Sequence, residues 1–426
     1  MRRTRQRVTG AHGKRRTGRE SGLPQGFGVL WLSVAVDLVG FGIVLPLLPL
    51  YAKHFHTSTA TIGVLVATFS AAQALCAPLL GRLSDRYGRK PVIVVSMVGT
   101  ALGSVATGLA PNLLVLFVAR AFDGASGSSV AVARAALADV CDPRDRGRIF
   151  GLLSTAFGAG FVVGPALGGI AALGSERLPF LLAGVIAGVN AGFAAWKLQE
   201  TRGSRRRAGA PAEDASAKST QDVGSRVVLL RALATSFLLV VAFSAFETTL
   251  PLFVHRRLGM GLAGTGGIFA AVGVVIVCVQ GGLIKPVLRL VTEPVAIRTG
   301  LACELAGLVL LSDARSMLTV SCVLFLLAAG QALTTPLLAS VVSANGAQGR
   351  GGSVLGAQQG LSSLARTVGP LIGGVVFASV SARGACLAAG LIMGLALVVA
   401  AGSFGPRALV AEPEPGAEPE PATRVR

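Results

Sequence analysis

The 426-residue sequence has little charge and few aromatic side chains. Asp, Glu, Lys and Arg make up only 14% of it and aromatic residues 5%, whereas 52% of the residues are hydrophobic. With a mean hydropathy of +0.68, the chain has too little polar surface to cover a soluble protein of this length. The composition therefore excludes an ordinary soluble globule and indicates a protein that lies in a lipid bilayer.

Cysteine is also scarce, and its copies stand singly, at positions 76, 141, 278, 303, 322 and 386. Without a C-x-x-C pair or other paired spacing, these cysteines indicate neither a disulfide framework nor a metal site. The H-x-H pattern of His54 and His56 has no nearby Cys or carboxylate, which favours a solvated loop over a zinc site. We therefore expect no metal and no cofactor.

Runs of about 20 apolar residues without strict alternation predict membrane-spanning helices, because backbone groups in hydrocarbon must pair within a helix or a closed barrel. The first run is too long, and lacks an A-x-A-like cleavage site, for a removable signal peptide, so we expect it to be retained. We predict twelve spans, numbered 1 to 12 in chain order, at residues 28–51, 60–80, 91–110, 113–137, 149–173, 178–197, 228–254, 263–285, 294–312, 316–343, 353–379 and 384–405.

Acidic residues are few beside basic ones, with 20 Asp and Glu against 39 Lys and Arg. The cations are spread over many loops instead of one basic domain with interleaved aromatics, which argues against nucleic-acid binding. With alternate loops on opposite sides of the membrane, about thirty cations fall on the side of the N-terminus and about six on the other. This asymmetry predicts that both termini and the central loop face the cytoplasm.

A polar stretch at 198–226 divides the spans into six and six and is typical of a flexible linker. The predicted units are a basic cytoplasmic arm at 1–27, six-helix bundles at 28–197 and 227–405 on either side of the linker, and a disordered Glu/Pro tail at 406–426.

The two halves also repeat short patterns of glycine, proline and leucine. Gly164-Pro165 and Gly168-Gly169 of span 5 recur in span 11 as Gly369-Pro370 and Gly373-Gly374, and Leu45-Pro46-Leu47 of span 1 recurs in span 7 as Leu250-Pro251-Leu252, all at one constant offset. Matching spans in matching halves indicate an internal duplication of the kind that lets two bundles rock about a central site.

The segment from Gly81 to Lys90, the signature segment, reads Gly-Arg-Leu-Ser-Asp-Arg-Tyr-Gly-Arg-Lys and separates spans 2 and 3. We predict a charged hinge in which Gly81 and Gly88 allow a tight reversal and the cations lie at an anionic cytoplasmic surface. An ordinary positive-inside loop would explain the cations but not the spacing of Gly81, Asp85 and Gly88. The segment resembles the signature loop, G-x-x-x-D-R-x-G-R-K, of the major facilitator superfamily of secondary transporters. The resemblance implies an all-α membrane protein with twelve transmembrane helices in two pseudo-symmetric six-helix bundles.

The resemblance also implies a conformational latch outside the substrate cavity. In this family an acid at the position of Asp139, the end of span 4, pairs with the arginine of the signature loop, and the loop's aspartate faces the start of span 11. The implied latch residues are Gly81, Asp85, Arg86, Gly88, Arg89, Lys90 and Asp139. The second half has no such segment between Gly281 and Val295, so we expect the latch on one side only.

Span 5 carries glycines four residues apart, which let a neighbouring helix approach closely, and Pro165, which kinks the span. A packing face is all that these residues show by themselves. The string G-x-x-x-G-P-x-x-G-G also resembles the antiporter motif of facilitator exporters, which favours export over uptake. Its residues here are Gly160, Gly164, Pro165, Gly168 and Gly169.

Ionisable residues inside spans are expensive unless they are paired or face a wet cavity. Asp37 begins a run, D-x-x-G-x-G-x-x-x-P-x-x-P, that is similar to span 1 of tetracycline-type drug:proton antiporters. A carboxylate there can hold a proton and a substrate cation in turn; the alternative is a carboxylate that caps a neighbour near the membrane surface. Arg120 and Gly124 match the family's R-x-x-x-G motif in span 4, and Asp123 offers the competing interpretation of a local ion pair.

The candidates for proton coupling or the substrate cavity are Asp37, Arg120, Asp123, Glu247, Glu304 and Arg366. We predict a drug:proton antiporter of a bacterial plasma (inner) membrane that exports a small amphipathic compound, with substrate, protons and lipid as its partners and no obligatory protein partner. One alternative is a proton-coupled importer or facilitator of a sugar, organic acid or other metabolite. A remote alternative, a membrane-embedded transferase, would need an acid, base or metal cluster at a span end, and the sequence shows none.

Overall fold

The computed structural model describes residues 26–127, 129–140, 146–200, 223–345 and 351–402. Within these ranges the regular secondary structure is helical: α1 Phe27–Lys53, α2 Thr59–Tyr87, α3 Arg89–Gly108, α4 Leu113–Ser126, α5 Ser129–Val140, α6 Arg146–Ala172, α7 Leu178–Lys197, α8 Val223–Leu258, α9 Leu262–Cys278, a π-helical turn Val279–Leu283, α10 Ile284–Leu290, α11 Glu293–Asp313, α12 Met317–Ala344, α13 Gly351–Ser379 and α14 Ala382–Ala401.

The predicted all-helical membrane fold is confirmed. Among the described residues eleven helical stretches are long and apolar enough to cross a membrane, and Gly158–Ala172 of α6 is a shorter apolar stretch at the position of span 5. Span 4 comprises α4 and α5, and span 8 comprises α9 and the π-helical turn, with α10 following at its end. Residues 1–25, the linker interior 201–222 and the tail lie outside the described residues, so the unit boundaries stay predictions.

The signature segment is not the loop that the sequence led us to expect. Helix α2 continues through Gly81 to Tyr87, and α3 begins at Arg89, so that Gly88 alone makes the reversal. Gly88 has a φ of 111°, a conformation that side chains disfavour. A Cβ atom on Gly81 would meet nothing within 4 Å, and a single glycine on an open helix face does not end a helix.

Span 4, predicted as one continuous helix, is interrupted. Helix α4 ends at Ser126, Gly127 is non-helical with a ψ of 35°, and α5 begins at Ser129. The side-chain amide of Gln73 in span 2 donates a hydrogen bond to the carbonyl oxygen of Gly127, which has left the helical pattern. Non-helical backbone at membrane depth needs such a partner, because no water is present in hydrocarbon.

The repeated glycines make equivalent contacts in the two halves. A Cβ atom on Gly164 would lie 2.6 Å from the carbonyl oxygen of Val39 in span 1, and one on its counterpart Gly369 would lie 2.5 Å from that of Val241 in span 7. Spans 5 and 1 therefore pack backbone to backbone, as spans 11 and 7 do. The predicted duplication is visible in these contacts.

Two further glycines of the repeat, Gly169 and Gly374, lie where the two halves meet. A Cβ atom on Gly169 of span 5 would lie 3.2 Å from the Cα of Gly266 in span 8, and one on Gly374 of span 11 would lie 2.9 Å from the Cα of Gly63 in span 2. We call these two contacts the far seal, because they lie at the ends of the spans opposite Gly88. The halves thus meet closely at the far seal.

Candidate functional site

A cavity lies between the halves and extends from the middle of the spans towards the signature-segment end; it encloses about 1140 Å³ when the space that opens to solvent is included. Both halves contribute polar side chains to it, and the aromatic rings of Phe41, Phe69 and Phe161 supply apolar surface. The ionisable and amide residues in its lining are Asp37, Gln73, Arg120, Asp123, Arg134, Gln359 and Arg366. A cavity with a few convergent polar groups in apolar walls suits a small amphipathic molecule.

Arg120 and Asp123 form an ion pair in the wall of this cavity. Nη1 of Arg120 donates to Oδ2 of Asp123 at 2.6 Å, and each residue is 3% exposed. The guanidinium also lies over the ring of Phe69, 4.5 Å from its centroid. The local pair that the three-residue spacing predicted is therefore present, and its members still line the cavity.

The R-x-x-x-G motif has a physical explanation in this packing. A Cβ atom on Gly124 would collide with the backbone carbonyl oxygen of Phe69 in span 2. Only glycine lets α4 come this close to span 2, and the same close approach brings Arg120 over the Phe69 ring.

Asp37 lies opposite the interruption of span 4. The hydroxyl of Ser129 donates to Oδ2 of Asp37 at 2.5 Å, and Oδ1 is buried with no hydrogen-bond partner among the described residues. Because α5 begins at Ser129, the carboxylate lies by the N-terminal end of a helix, where exposed N–H groups attract negative charge. The arrangement orients one carboxylate oxygen and leaves the other able to accept a proton or a donor group.

A second, narrow space lies beside the first, and Glu247, the acid of the C-terminal half, lines it. Glu247 of span 7 is 3% exposed, and its Oε1 has no hydrogen-bond partner in the described part of the chain. Arg120 and Arg366 line both spaces. The two spaces therefore share part of a charged wall, to which spans 1, 4, 7 and 11 contribute ionisable side chains.

The halves also meet across the cavity on the signature-segment side. Nη1 of Arg134 in α5 donates to Oε1 of Gln359 in span 11 at 2.7 Å. This hydrogen bond joins side chains, whereas the far seal joins backbones, so the signature-segment side is the more loosely closed of the two.

The structure brings together five of the six predicted cavity residues: Asp37, Arg120, Asp123, Glu247 and Arg366. Glu304 does not join them. It is 1% exposed, and its Cγ lies where a Cβ atom on Gly330 of span 10 would come within 2.8 Å. It lines neither space and is buried where spans 9 and 10 pack.

Sequence reasoning missed four side chains that define the site: Gln73, Ser129, Arg134 and Gln359. Arg134 carried a usable signal, since a cation inside a predicted span is rare. Ser129 and the glutamines carried none that a single sequence makes visible.

The structure describes only some of the residues of the predicted latch. Arg89 forms an ion pair with Asp85 at 2.7 Å and donates to the hydroxyl of Ser84 at 2.6 Å, while Asp85 is largely exposed. The side chain of Asp139 and those at the start of span 11 lie outside the described residues. Their predicted pairing with the signature segment therefore stays a prediction.

Residues 30–370 match the family model of the Major Facilitator Superfamily, which covers most of the chain. The chain belongs to this superfamily. The predicted fold, two pseudo-symmetric helical bundles, is thereby confirmed. Membership of this family implies a transporter rather than an enzyme.

The chain is similar to two resistance proteins and to a transporter of solved structure. The class C tetracycline resistance protein of Escherichia coli is 32% identical over 351 residues, 82% of this chain and 88% of that protein. Multidrug resistance protein 2 of Bacillus subtilis is 28% identical over 360 residues, 82% of this chain and 88% of that protein. The crystal structure of the human organic anion transporter MFSD10 (TETRAN) superposes with a TM-score of 0.66 at 25% identity, covering 88% of this chain and 98% of that one.

Proposed function

We propose that this transporter exports a small amphipathic compound in exchange for protons by alternating access. The observation that carries the proposal is Asp37, a carboxylate in the cavity wall with one oxygen held by Ser129 and the other without a hydrogen-bond partner among the described residues. Similarity to tetracycline and multidrug resistance proteins supports export of a drug-like molecule. We place the chain in the bacterial inner membrane with both termini in the cytoplasm, so that the far seal closes the outer side.

In this mechanism substrate and proton compete for one negative charge. Substrate from the cytoplasm enters beside the Arg134–Gln359 contact and packs against the aromatic wall near Asp37. Opening of the far seal then exposes Asp37 to the outside, where a proton displaces the substrate. The ion pair of Arg120 and Asp123 and the nearby Glu247 and Arg366 set the charge balance of this exchange.

We further propose that the signature segment acts as a latch that stabilises the state open to the outside. Asp85 is exposed at the signature-segment end and is not among the residues that line the cavity. Its role would then be to control the exchange between states without touching substrate.

Asp37→Asn is the direct test of proton coupling. Uptake of tetracycline and of a panel of amphipathic drugs is followed in everted membrane vesicles, with and without a protonophore. We expect the parent to accumulate substrate only with the gradient, and Asp37→Asn to lose this accumulation while it keeps passive exchange.

Glu304→Gln is the matched control, because Glu304 is a buried span carboxylate that lines neither space. It should retain gradient-driven uptake. Accumulation by Asp37→Asn at the parent's level, or parental transport indifferent to the protonophore, would refute the antiport proposal. Movement of sugars or organic acids, but not of drugs, would favour the importer or facilitator.

A further inference from the structure

The reversal at Gly88 creates a capping problem for span 3. The first N–H groups of a helix have no partner within that helix, and a side chain at the N-cap position often accepts from one of them. Gly88 occupies that position in α3 and has no side chain to offer.

A residue remote in sequence supplies the missing acceptor. Oε1 of Glu200 accepts a hydrogen bond from the backbone N–H of Arg89 at 2.9 Å, and Oε2 accepts from that of Lys90 at 3.1 Å. One carboxylate thus satisfies two N–H groups and places its negative charge at the positive end of the helix. Glu200 follows α7, so the contact joins the end of span 6 to the turn between spans 2 and 3.

The same contact explains why residue 88 is glycine. A Cβ atom there would collide with Oε2 of Glu200, and the φ of 111° would strain any other residue. Gly88 and Glu200 are therefore complementary, because one opens the space that the other fills.

We propose that Glu200 is a positioning residue of the signature segment: it replaces the N-cap of span 3 and so fixes the turn that carries Asp85 and Arg89. This proposal rests on the latch role proposed above but not on drug export or on proton coupling. Glu200 holds the turn in one geometry. The side chains of the turn are then already in place for the contacts that they make when the signature-segment end closes. Without Glu200, the state closed at that end becomes less stable, and the molecule stays longer with the far seal shut.

Hydrogen–deuterium exchange of the purified full-length protein tests both the capping contact and its effect on the balance between the two states. In Glu200→Ala we expect the amides of Arg89 and Lys90 to exchange about tenfold faster or more, because each loses its charge-assisted hydrogen bond. We also expect amides around Gly63 and Gly374, at the far seal, to exchange more slowly than in the parent. Loosening at one end with protection at the other is a signature that a purely local cap would not produce.

Two further variants sharpen the result. Gly88→Ala should speed exchange of the Arg89 and Lys90 amides as Glu200→Ala does, and the double variant should be no faster than the faster single variant, because both substitutions remove the same contact. Glu293→Ala is the control, since Glu293 lies in the first turn of α11, the corresponding position in the second half; it should leave both regions unchanged.

Parental exchange of the Arg89 and Lys90 amides in Glu200→Ala would overturn the capping contact. Faster exchange there with unchanged exchange at the far seal would reduce Glu200 to a structural cap and overturn its effect on the states. Neither readout requires a substrate, so failure of the export proposal would leave this test intact.

Discussion

Arg120 and Asp123 show how one pair of residues serves both stability and the site. Their charges are removed from water and from the bilayer, and each compensates the other at 2.6 Å. Removal of one partner of such a pair leaves a buried charge without compensation, which costs more than removal of both.

Asp123→Leu should therefore lower the free energy of unfolding by about 3 to 5 kcal/mol, and the double variant Arg120→Met/Asp123→Leu should recover to within about 1 kcal/mol of the parent. Unfolding in detergent, followed by tryptophan fluorescence or light scattering, measures both. The double variant should still fail to transport, because Arg120 lines both spaces. Equal stability of the single variant and the parent would show that Asp123 does not hold the arginine.

The acids of the spans mark the limit of what residue types reveal. The sequence makes Asp37, Glu247 and Glu304 candidates alike in chemistry, since each is a carboxylate within an apolar run, and only Asp37 also lies in a family motif. Depth in the membrane can be counted along a span, but the direction that a helix face points depends on the neighbours that pack on it. Packing against span 10 separates Glu304 from the cavity, and no single-sequence signal encodes that choice.

At the scale of elements, single glycines determine where helices end and where they continue. The sequence predicted helical spans and a reversal between spans 2 and 3, because long apolar runs and a charged break are strong local signals. It did not predict the interruption at Gly127, which depends on the amide of Gln73 in another span. Helix α2 ran through Gly81 because an isolated glycine weakens a helix by only about 1 kcal/mol relative to alanine.

The far seal also depends on glycine. A Cβ atom on Gly63 would collide with the carbonyl oxygen of Pro370 and would lie 3.0 Å from the Cα of Gly374. Gly63→Ala should destabilise the sealed state by about 1 to 3 kcal/mol through overpacking, which raises the proportion of molecules open at this end by about 5- to 150-fold.

Faster hydrogen exchange around residues 63 and 374 in Gly63→Ala would report that opening. Gly267→Ala is the matched control, since a Cβ atom on this glycine of span 8 would meet nothing within 4 Å. Should both variants exchange like the parent, the close approach of spans 2 and 11 would not control opening.

Asp85→Asn should slow turnover in proteoliposomes yet leave drug binding measurable, because the signature segment lies outside the cavity and would act on the states alone. Asp313→Asn makes a suitable control, since Asp313 is also an exposed acid in an ion pair, with Arg383 at 3.1 Å. Parental turnover in Asp85→Asn would leave the segment as a marker of topology only.

At the scale of the whole molecule, duplication explains why the cavity lies where it does. Spans 1 and 7 each pack against a glycine-rich partner of their own half, and the glycines next to those contacts join the halves at the far seal. The cavity lies on the other side of these backbone contacts, where the halves are joined by the side chains of Arg134 and Gln359. A rocking motion that exchanges the two kinds of closure would open the cavity to alternate sides.

The distribution of charge predicts which end of the spans faces the cytoplasm. About thirty cations are predicted on the side of the N-terminus and about six opposite, and the signature segment lies on the richer side. Loops rich in Lys and Arg stay on the cytoplasmic side of a membrane. Both termini and the 198–226 linker should therefore face the cytoplasm, and the cavity should extend towards it.

A reporter enzyme that is active only outside the cytoplasm should be silent when fused after residue 210. The same reporter should be active when inserted between His54 and Ser58, the turn between spans 1 and 2 at the far-seal end. Activity of the fusion at 210, with silence of the one in the turn, would invert the protein and with it the direction of transport argued from the cavity.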